Sequence, residues 1–443
     1  MIIQIYKGKG EKLLRQNWRP ITLLPVDYKM LAKILFNRLK LVAKDLVDPD
    51  QSCSLPGRNI RHGILTIFSV IEKIKSSREN GILLSVDQKS AFDMVEWKYL
   101  FKTLDHFGVG PIFLRWMNII YDPGKVKSSV SVNAYLSRFF PISRGLRQGC
   151  PLSPLLYILV AETLANKIRS DSDISGVSLG SKVLKLSHYA DDMNFFLSDE
   201  GSIAKIFEYF ELYKMATGAN LNHEKTQILK LGNPAISNFE HYVTTKIKIY
   251  GIVFNDQGFD KKASFDKAEK NIQRLLCLNA HSEFSLESRS IFISTYFLSK
   301  FWYCALFINP PEELVQLTNK AIVRFLWYPS RMPKMKGVIT KNSKNLGGIG
   351  SPDLFHKISA LRVVFLSKIS TLSDLKCFDY FINRFEFVKN ARHTINLAAE
   401  QKFLCELSST ERNIGAKIDN DGFIILGKNC IRKILIPRVY IMI

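Results

Sequence analysis

The sequence has no CxxC pair and no cluster of cysteine with histidine. Its seven cysteines (Cys53, Cys150, Cys277, Cys304, Cys377, Cys405 and Cys430) are scattered and odd in number. That excludes a zinc knuckle and a disulfide framework, and predicts reduced core thiols in an intracellular protein, nuclear or cytoplasmic. Long apolar runs are also missing. The most apolar window, IFISTYFLSKFWYCALFI from Ile291, has Lys300 in its middle, so one or two buried helices are predicted there instead of a membrane span. The opening MIIQIYKGKGEKLL is too short in its apolar part for a signal peptide and lacks a cleavage site. No internal repeat or low-complexity tract occurs, which excludes solenoids and arrays. Acidic residues are scarce: 40 Asp and Glu stand against 62 Lys and Arg, a net charge of +22 over 443 residues. This surplus runs along the whole chain and suits a polyanionic partner, nucleic acid first, because each neutralised phosphate releases counterions.

What is present describes a globular chain of two or three domains, with 47% hydrophobic and 23% charged residues. A helix is predicted from Asp27 to about Leu46, with apolar positions Leu31, Ile34, Leu35, Leu39, Val42 and Leu46. The strand signal GILLSV leads directly into Asp87, and a helix follows with Trp97, Leu100, Phe101 and Leu104 on one face and Gly108 as its stop. A strand-like run covers Tyr135 to Ile142. Ser153 and Pro154 start another helix, and Ser202 begins one that closes near Gly218. KIKIYGIVF reads as a strand ending near residue 255. From Phe265 the pattern is mostly helical, with a basic, glycine-marked patch near 331–354. Strands alternating with helices in the first part predict an α/β or α+β domain.

The stretch SHYADDMNFFL (187–197) places Asp191 and Asp192 at the tip of a predicted hairpin. An Asp-Asp turn is most often a solvated loop. If the strand ending at Asp87 lies beside it, however, three carboxylates converge. Such a group suits hard divalent cations such as Mg²⁺, and two ions about 4 Å apart can clamp the attacking and leaving oxygens of a phosphoryl displacement.

A series of phrases then occurs in fixed order: NWRPITLL, VDQKSAFDMVEW, SRGLRQGCPLSPLL, YADD, LNHEKT and IYGIVF. DYKMLAKILFNRLK, DPDQSCSLPGR and FGVGPIFLRWMNIIY agree with it. The series resembles the reverse transcriptase of non-LTR (LINE-type) retrotransposons over roughly residues 1–370. The resemblance implies an α+β right-hand polymerase with fingers, a palm bearing an antiparallel sheet, and a helical thumb, followed by a mostly helical C-terminal region. It implies fingers and palm over 1–262, thumb over 263–330, and a basic C-terminal region over 331–443. It also implies an RNA-directed DNA polymerase that extends a primer 3′-hydroxyl with dNTPs on an RNA template, using two Mg²⁺ ions with Mn²⁺ as a substitute.

Carried over by motif, the catalytic and metal-binding carboxylates are Asp87, Asp191 and Asp192. Lys225 is the expected general acid or neutraliser for the pyrophosphate leaving group. Phe92 is the expected gate against a ribose 2′-hydroxyl, which favours deoxynucleotides. Gln148 and Gly149 are expected against the nucleotide, glycine because backbone must come close there; Arg147 and Arg19 would add positive charge. Tyr250 and Gly251 would lie in the primer-grip strand.

Two departures qualify the expectation. Where the family has an acid-then-lysine pair two and three residues after its first aspartate, this chain has Lys89 and Ser90. The chain also shows no counterpart of the family's N-terminal endonuclease, so a truncated copy is predicted. The competing reading is a catalytically impaired nucleic-acid-binding remnant with the polymerase fold. An RNA-dependent RNA polymerase shares the paired-aspartate logic but fits poorly with Phe92.

Overall fold

The protein is described by a computed structural model covering residues 1–369, apart from 9, 180–181, 279–283, 331–336 and 343–346, and the short paired strands Lys417–Ile418 and Ile424–Ile425. The expected basic patch at 331–354 lies partly outside the described residues, and the C-terminal region beyond 370 almost wholly so. The chain divides into two compact units, one over Met1–Asp260 and one beginning at Lys261.

The first unit is α+β, as expected. Its elements are β1 (Ile2–Tyr6), β2 (Trp18–Thr22), α1 (Val26–Leu46), α2 (Ile60–Ser77), β3 (Gly81–Val86), α3 (Trp97–His106), α4 (Pro111–Ile120), α5 (Ser153–Ser170), β4 (Leu186–Tyr189), β5 (Asp192–Leu197), α6 (Glu200–Thr217), β6 (Gln227–Leu231), β7 (Val243–Thr244), β8 (Ile247–Ile249) and β9 (Ile252–Asn255). One five-stranded sheet runs β4-β5-β3-β6-β7. It is antiparallel except for the β6–β7 pair. A central strand is covered on both faces and needs no polar alternation, which explains why GILLSV is an almost unbroken apolar run. A second sheet joins β1 antiparallel to β2 and parallel to Val130–Val132.

Helix boundaries follow local chemistry. The α2 helix, not anticipated from periodicity, starts where the Asn59 side chain accepts from the Arg61 N–H at 2.9 Å, and its Ile64, Ile67, Ile71 and Ile74 are buried. The α6 helix begins at Glu200, not Ser202, because the Asp199 carboxylate accepts from the Ser202 N–H at 2.8 Å. In α1 the buried stripe is Ala32, Leu35, Leu39 and Ala43, whereas Ile34 is 56% exposed and Val42 is 49% exposed. The small alanines mark the close-packed face that a count of large apolar residues misplaced by about one position. The α5 helix is buried nearly all round and contributes Leu155, Leu159 and Val160 to a core shared with Leu84, Val86 and Phe195.

Two predicted strands resolve differently. Tyr135 to Ile142 forms two separate two-residue strands, Tyr135–Leu136 and Phe140–Pro141. KIKIYGIVF is not one strand but a hairpin, with Ile249 paired to Ile252 across Tyr250 and Gly251. Both turn residues have positive φ, 52° and 85°, the geometry of a tight hairpin turn that twists with its strands.

Among its described residues up to 369 the second unit is helical, its longer helices being α7 (Lys261–Cys277), α8 (Leu286–Phe292), α9 (Ser299–Ala305), α10 (Glu312–Trp327) and α11 (Leu354–Ile369). Phe265 of α7 lies against Phe301 of α9, ring centroids 5.6 Å apart. The buried Arg289 guanidinium donates to the carbonyls of Leu326 and Tyr328 at 2.8 and 2.7 Å, ending α10. The apolar window from Ile291 is broken by a π-helical turn over Ile293–Phe297. Among the described residues no helix is long and apolar enough to cross a membrane. Cys53, Cys150 and Cys304 are buried thiols, whereas Cys277, expected in a core, is exposed.

Candidate active site

The tip of the β4–β5 hairpin is set by its pairing. Tyr189 faces Asp192 directly, leaving Ala190 and Asp191 as a two-residue turn. Ala190 has φ of 56°, a left-handed conformation uncommon without glycine and frequent at strained functional sites. On the other side of β5, Met193 pairs with Val86 at the end of β3. Asp87, the next residue, therefore leaves the sheet beside Asp192, and two distant segments converge.

The electrostatics agree with that proximity. Burial, then Asp191, then Asp87, push the Asp192 carboxyl up to about 6, although its side chain still reaches solvent. Burial and the nearby Asp87 also raise Asp191, while Lys225 and Arg19 oppose the rise. Arg19, at Ile5 in the β1–β2 register, thus bears electrostatically on the hairpin from a different sheet. Asp87 is held from the loop before β6: the Asn222 N–H donates to its carbonyl at 2.8 Å, and Asn222 Nδ2 and Lys225 Nζ donate to its Oδ2 at 3.1 and 2.7 Å. That loop is a tight turn in which the Lys225 and Thr226 N–H groups both donate to the Asn222 carbonyl at 3.0 Å.

Phe92 lies half-buried, its ring stacked on Tyr157 with centroids 4.6 Å apart. Tyr157 is fixed in turn by donating to Gln88 Oε1 at 3.1 Å. Lys89 is exposed and pairs with Asn220, and Ser90 takes a left-handed φ of 51°. Gln148 donates through Nε2 to Asp93 at 3.1 Å, and its carbonyl accepts from the Thr22 N–H at 2.8 Å.

With the carboxylates, Lys225 and Phe92 in place, comparison with known proteins is decisive: the family described as reverse transcriptase (RNA-dependent DNA polymerase) matches residues 5–254. The chain belongs to this family. Its relatives include the 149 kDa protein of transposon TX1 from Xenopus laevis, 29% identical over 339 residues covering 74% of this chain and 25% of the relative. The retrovirus-related Pol polyprotein of the type-2 retrotransposable element R2DM from Drosophila melanogaster is 25% identical over 47% of this chain and 19% of its own length. The chain thus spans about a quarter or less of these curated relatives. Among solved structures, telomerase from Candida tropicalis in complex with a fragment of telomeric RNA is 13% identical, covers 90% of this chain and 61% of its own, and has a TM-score of 0.43. The LINE-type reverse transcriptase resemblance read from motif order is borne out.

Several of the residues expected from the motifs have other local duties. Arg147 donates to the Tyr28 hydroxyl and the Ile120 carbonyl, both at 2.9 Å, and lies over the rings of Tyr28 and Tyr121. Its guanidinium ties α1 to the end of α4, which differs from a free charge offered to a nucleotide. Gly149 does permit a close backbone approach, but the approach is to the Thr22 carbonyl of β2. An added Cβ would sit 2.7 Å from that oxygen, and φ is 109°. Tyr250 is in a turn, not a strand. Its buried hydroxyl accepts from Asn194 Nδ2 at 2.9 Å, and its ring meets Tyr189 edge-on beneath the β4–β5 hairpin. Sequence reading missed Gly63, whose absent side chain makes room for the Tyr250 ring, 2.6 Å from a notional Cβ. It also missed the part played by Asn222, three residues before Lys225 in LNHEKT, and by Gln51 in DPDQSCSLPGR.

The donor set suits a hard divalent ion: the Asp191 and Asp192 carboxyls are raised by burial and then by mutual repulsion, which a cation would relieve. Among the described residues no three His, Cys, Asp or Glu side chains gather as a ready-made metal cage. Mg²⁺ characteristically binds one or two carboxylates together with substrate phosphates, not an all-protein cage, so Asp87 with Asp191 fits it.

Proposed function

We propose that this chain is an RNA-directed DNA polymerase of a LINE-type retrotransposon, extending a DNA primer with dNTPs on an RNA template. The observation that carries the reading is the convergence of Asp87, at the end of β3, with the strained hairpin holding Asp191 and Asp192. In this reading the first unit forms fingers and palm, and the helices from Lys261 form the thumb. Asp87, Asp191 and Asp192 would hold two Mg²⁺ ions, or Mn²⁺ in their place, and the bound ions would supply activation of the primer 3′-oxygen and neutralisation of phosphate charge. The 3′-oxygen bonds to the α-phosphorus as the bond to pyrophosphate breaks, and Lys225 neutralises or protonates that leaving group. Phe92, braced by Tyr157, closes the space a ribose 2′-hydroxyl would need. Gln148 and Gly149 shape the nucleotide side of the pocket, and Arg19 adds positive charge. The hairpin of Tyr250 and Gly251 supports the catalytic turn from behind, next to the primer. The +22 charge tracks template and primer phosphates without reading sequence, in an intracellular setting, nuclear or cytoplasmic.

The test is Mg²⁺- or Mn²⁺-dependent dNTP incorporation on poly(rA)/oligo(dT), compared with the Asp191→Asn, Asp192→Asn double variant. Incorporation lost in the variant supports the reading. Salt-dependent nucleic-acid binding with no incorporation above that variant would instead identify a binding remnant.

A further inference from the structure

Behind the catalytic hairpin lies a buried polar chain that the chemistry above does not use. Gln51 is wholly buried. Its Oε1 accepts two backbone N–H groups, from Cys53 at 2.9 Å and from Ala190 at 3.2 Å. Two N–H donors on one atom fix which end of the amide is oxygen. Nε2 must then donate to His188 Nδ1, 3.0 Å away, which leaves the His188 proton on Nε2. That nitrogen faces Asp50 Oδ1 at 3.2 Å. Asp50 is gripped by Arg169 through two hydrogen bonds of 2.8 and 2.9 Å, and Arg169 also meets Glu162 at 2.9 Å. His188 and Glu162 are as buried as Gln51. The peptide backbone joins in: the Ser52 N–H donates to the His188 carbonyl and the His188 N–H to the Asp50 carbonyl, at 3.0 and 3.1 Å. The loop 50–52 is thereby laid along β4.

The chain ends on one group, the N–H of the left-handed turn residue next to Asp191. A non-glycine residue stays left-handed only where its surroundings over-determine it. The hairpin pairing itself leaves that N–H to be satisfied from outside. We infer that Gln51 is a positioning residue: it clamps Ala190 and so sets the directions of the Asp191 and Asp192 carboxylates. His188, held through Asp50 by Arg169 of α5, fixes the orientation of its amide. The inference rests on the polymerase reading for its effect on rate, but not for the clamp. Outer partners of this kind change metal affinity or activity by about 10–100-fold when removed.

The experiment compares the wild-type chain with Gln51→Leu, Gln51→Glu and a core control, Ile67→Ala on α2. Hydrogen–deuterium exchange is followed in the segment containing Ala190 and Asp191, and dNTP incorporation is measured with varied Mn²⁺ and primer–template. Gln51→Leu is expected to speed exchange in that segment about tenfold. It is also expected to lower kcat about tenfold and raise the half-activating Mn²⁺ concentration, with KM for primer–template unchanged. Gln51→Glu keeps an oxygen facing the Ala190 N–H and is expected to hold exchange near wild type. It serves as the deciding variant if the leucine variant does not fold, since fast exchange in it overturns the clamp. Ile67→Ala lowers the melting temperature without either local effect. Unchanged exchange in Gln51→Leu overturns the proposal, as does fast exchange with kcat and Mn²⁺ response intact. A wild-type chain that incorporates nothing removes the polymerase reading, and the exchange result still decides whether Gln51 holds the turn.

Discussion

Lys225 Nζ lies 2.7 Å from Oδ2 of Asp87, a pair closed across 138 residues of sequence. Lys225 is 65% exposed, so the pair contributes at most about 1 kcal/mol to folding. Its value lies in the chemistry. Lys225→Met is expected to leave the melting temperature nearly unchanged and to reduce single-nucleotide incorporation about a hundredfold, the usual scale of general acid-base assistance. Rapid-quench kinetics check this, and a variant that melts early yet incorporates at the normal rate would contradict it.

Gly149→Ala tests the fingers side. The new Cβ would press on the Thr22 carbonyl, at a φ that alanine avoids. Strain of this kind costs about 1–3 kcal/mol, so the denaturant midpoint should fall with an unchanged slope. An unaltered midpoint would mean that β2 gives way without cost.

Phe92→Val removes the ring stacked on Tyr157 and opens the volume in which the proposed function seats the nucleotide sugar. The expected result is a roughly tenfold fall in the preference for dNTP over rNTP, the scale on which pockets discriminate by shape. Paired incorporation assays with dTTP and UTP measure it. If both substrates lose rate equally, Phe92 is only a core residue.

The pH dependence of Asp192 follows from its raised carboxyl. Its folded value, about 6, is above the unfolded value of about 4. The folded chain therefore keeps a proton that the unfolded chain has released, and this group lowers stability as pH rises from about 4 to about 6. Asp192→Asn should raise the melting temperature at about pH 7 and lose that advantage at about pH 4. Divalent metal added to the wild-type chain should narrow the gap at neutral pH. Melting curves at the two pH values decide the sign.

The sequence made much of this legible where local signals and tertiary demands agree. GILLSV, the α5 helix with its Ser153–Pro154 start, and the Gly218 stop of α6 all sit where periodicity and caps predict. Motif order alone groups Asp87, Asp191 and Asp192. What could not be read depends on contacts between distant segments. Arg147 looks like any basic residue beside a conspicuous motif until Tyr28 and Tyr121 appear on either side of it. Tyr250 lay in an apolar run that reads as one strand, because two successive positive φ angles leave no mark when only the second residue is glycine. Gln51 is a polar residue in a loop, and only its total burial against His188 and Ala190 distinguishes it.

The direct pairing of Tyr189 with Asp192 leaves the catalytic turn without slack. Side chains alternate across a sheet with a period of two, so one extra residue after Ala190 would slide β5 along β3 and turn its buried residues outward. Met193 would meet water and Asn194 would lose Tyr250. On the proposed function, a substitution at Asp191 is expected to silence the chemistry and spare the fold, whereas an insertion beside it is expected to remove both. Spacing at this point is therefore a feature of the protein in its own right, and the position of the carboxylates is counted from the turn.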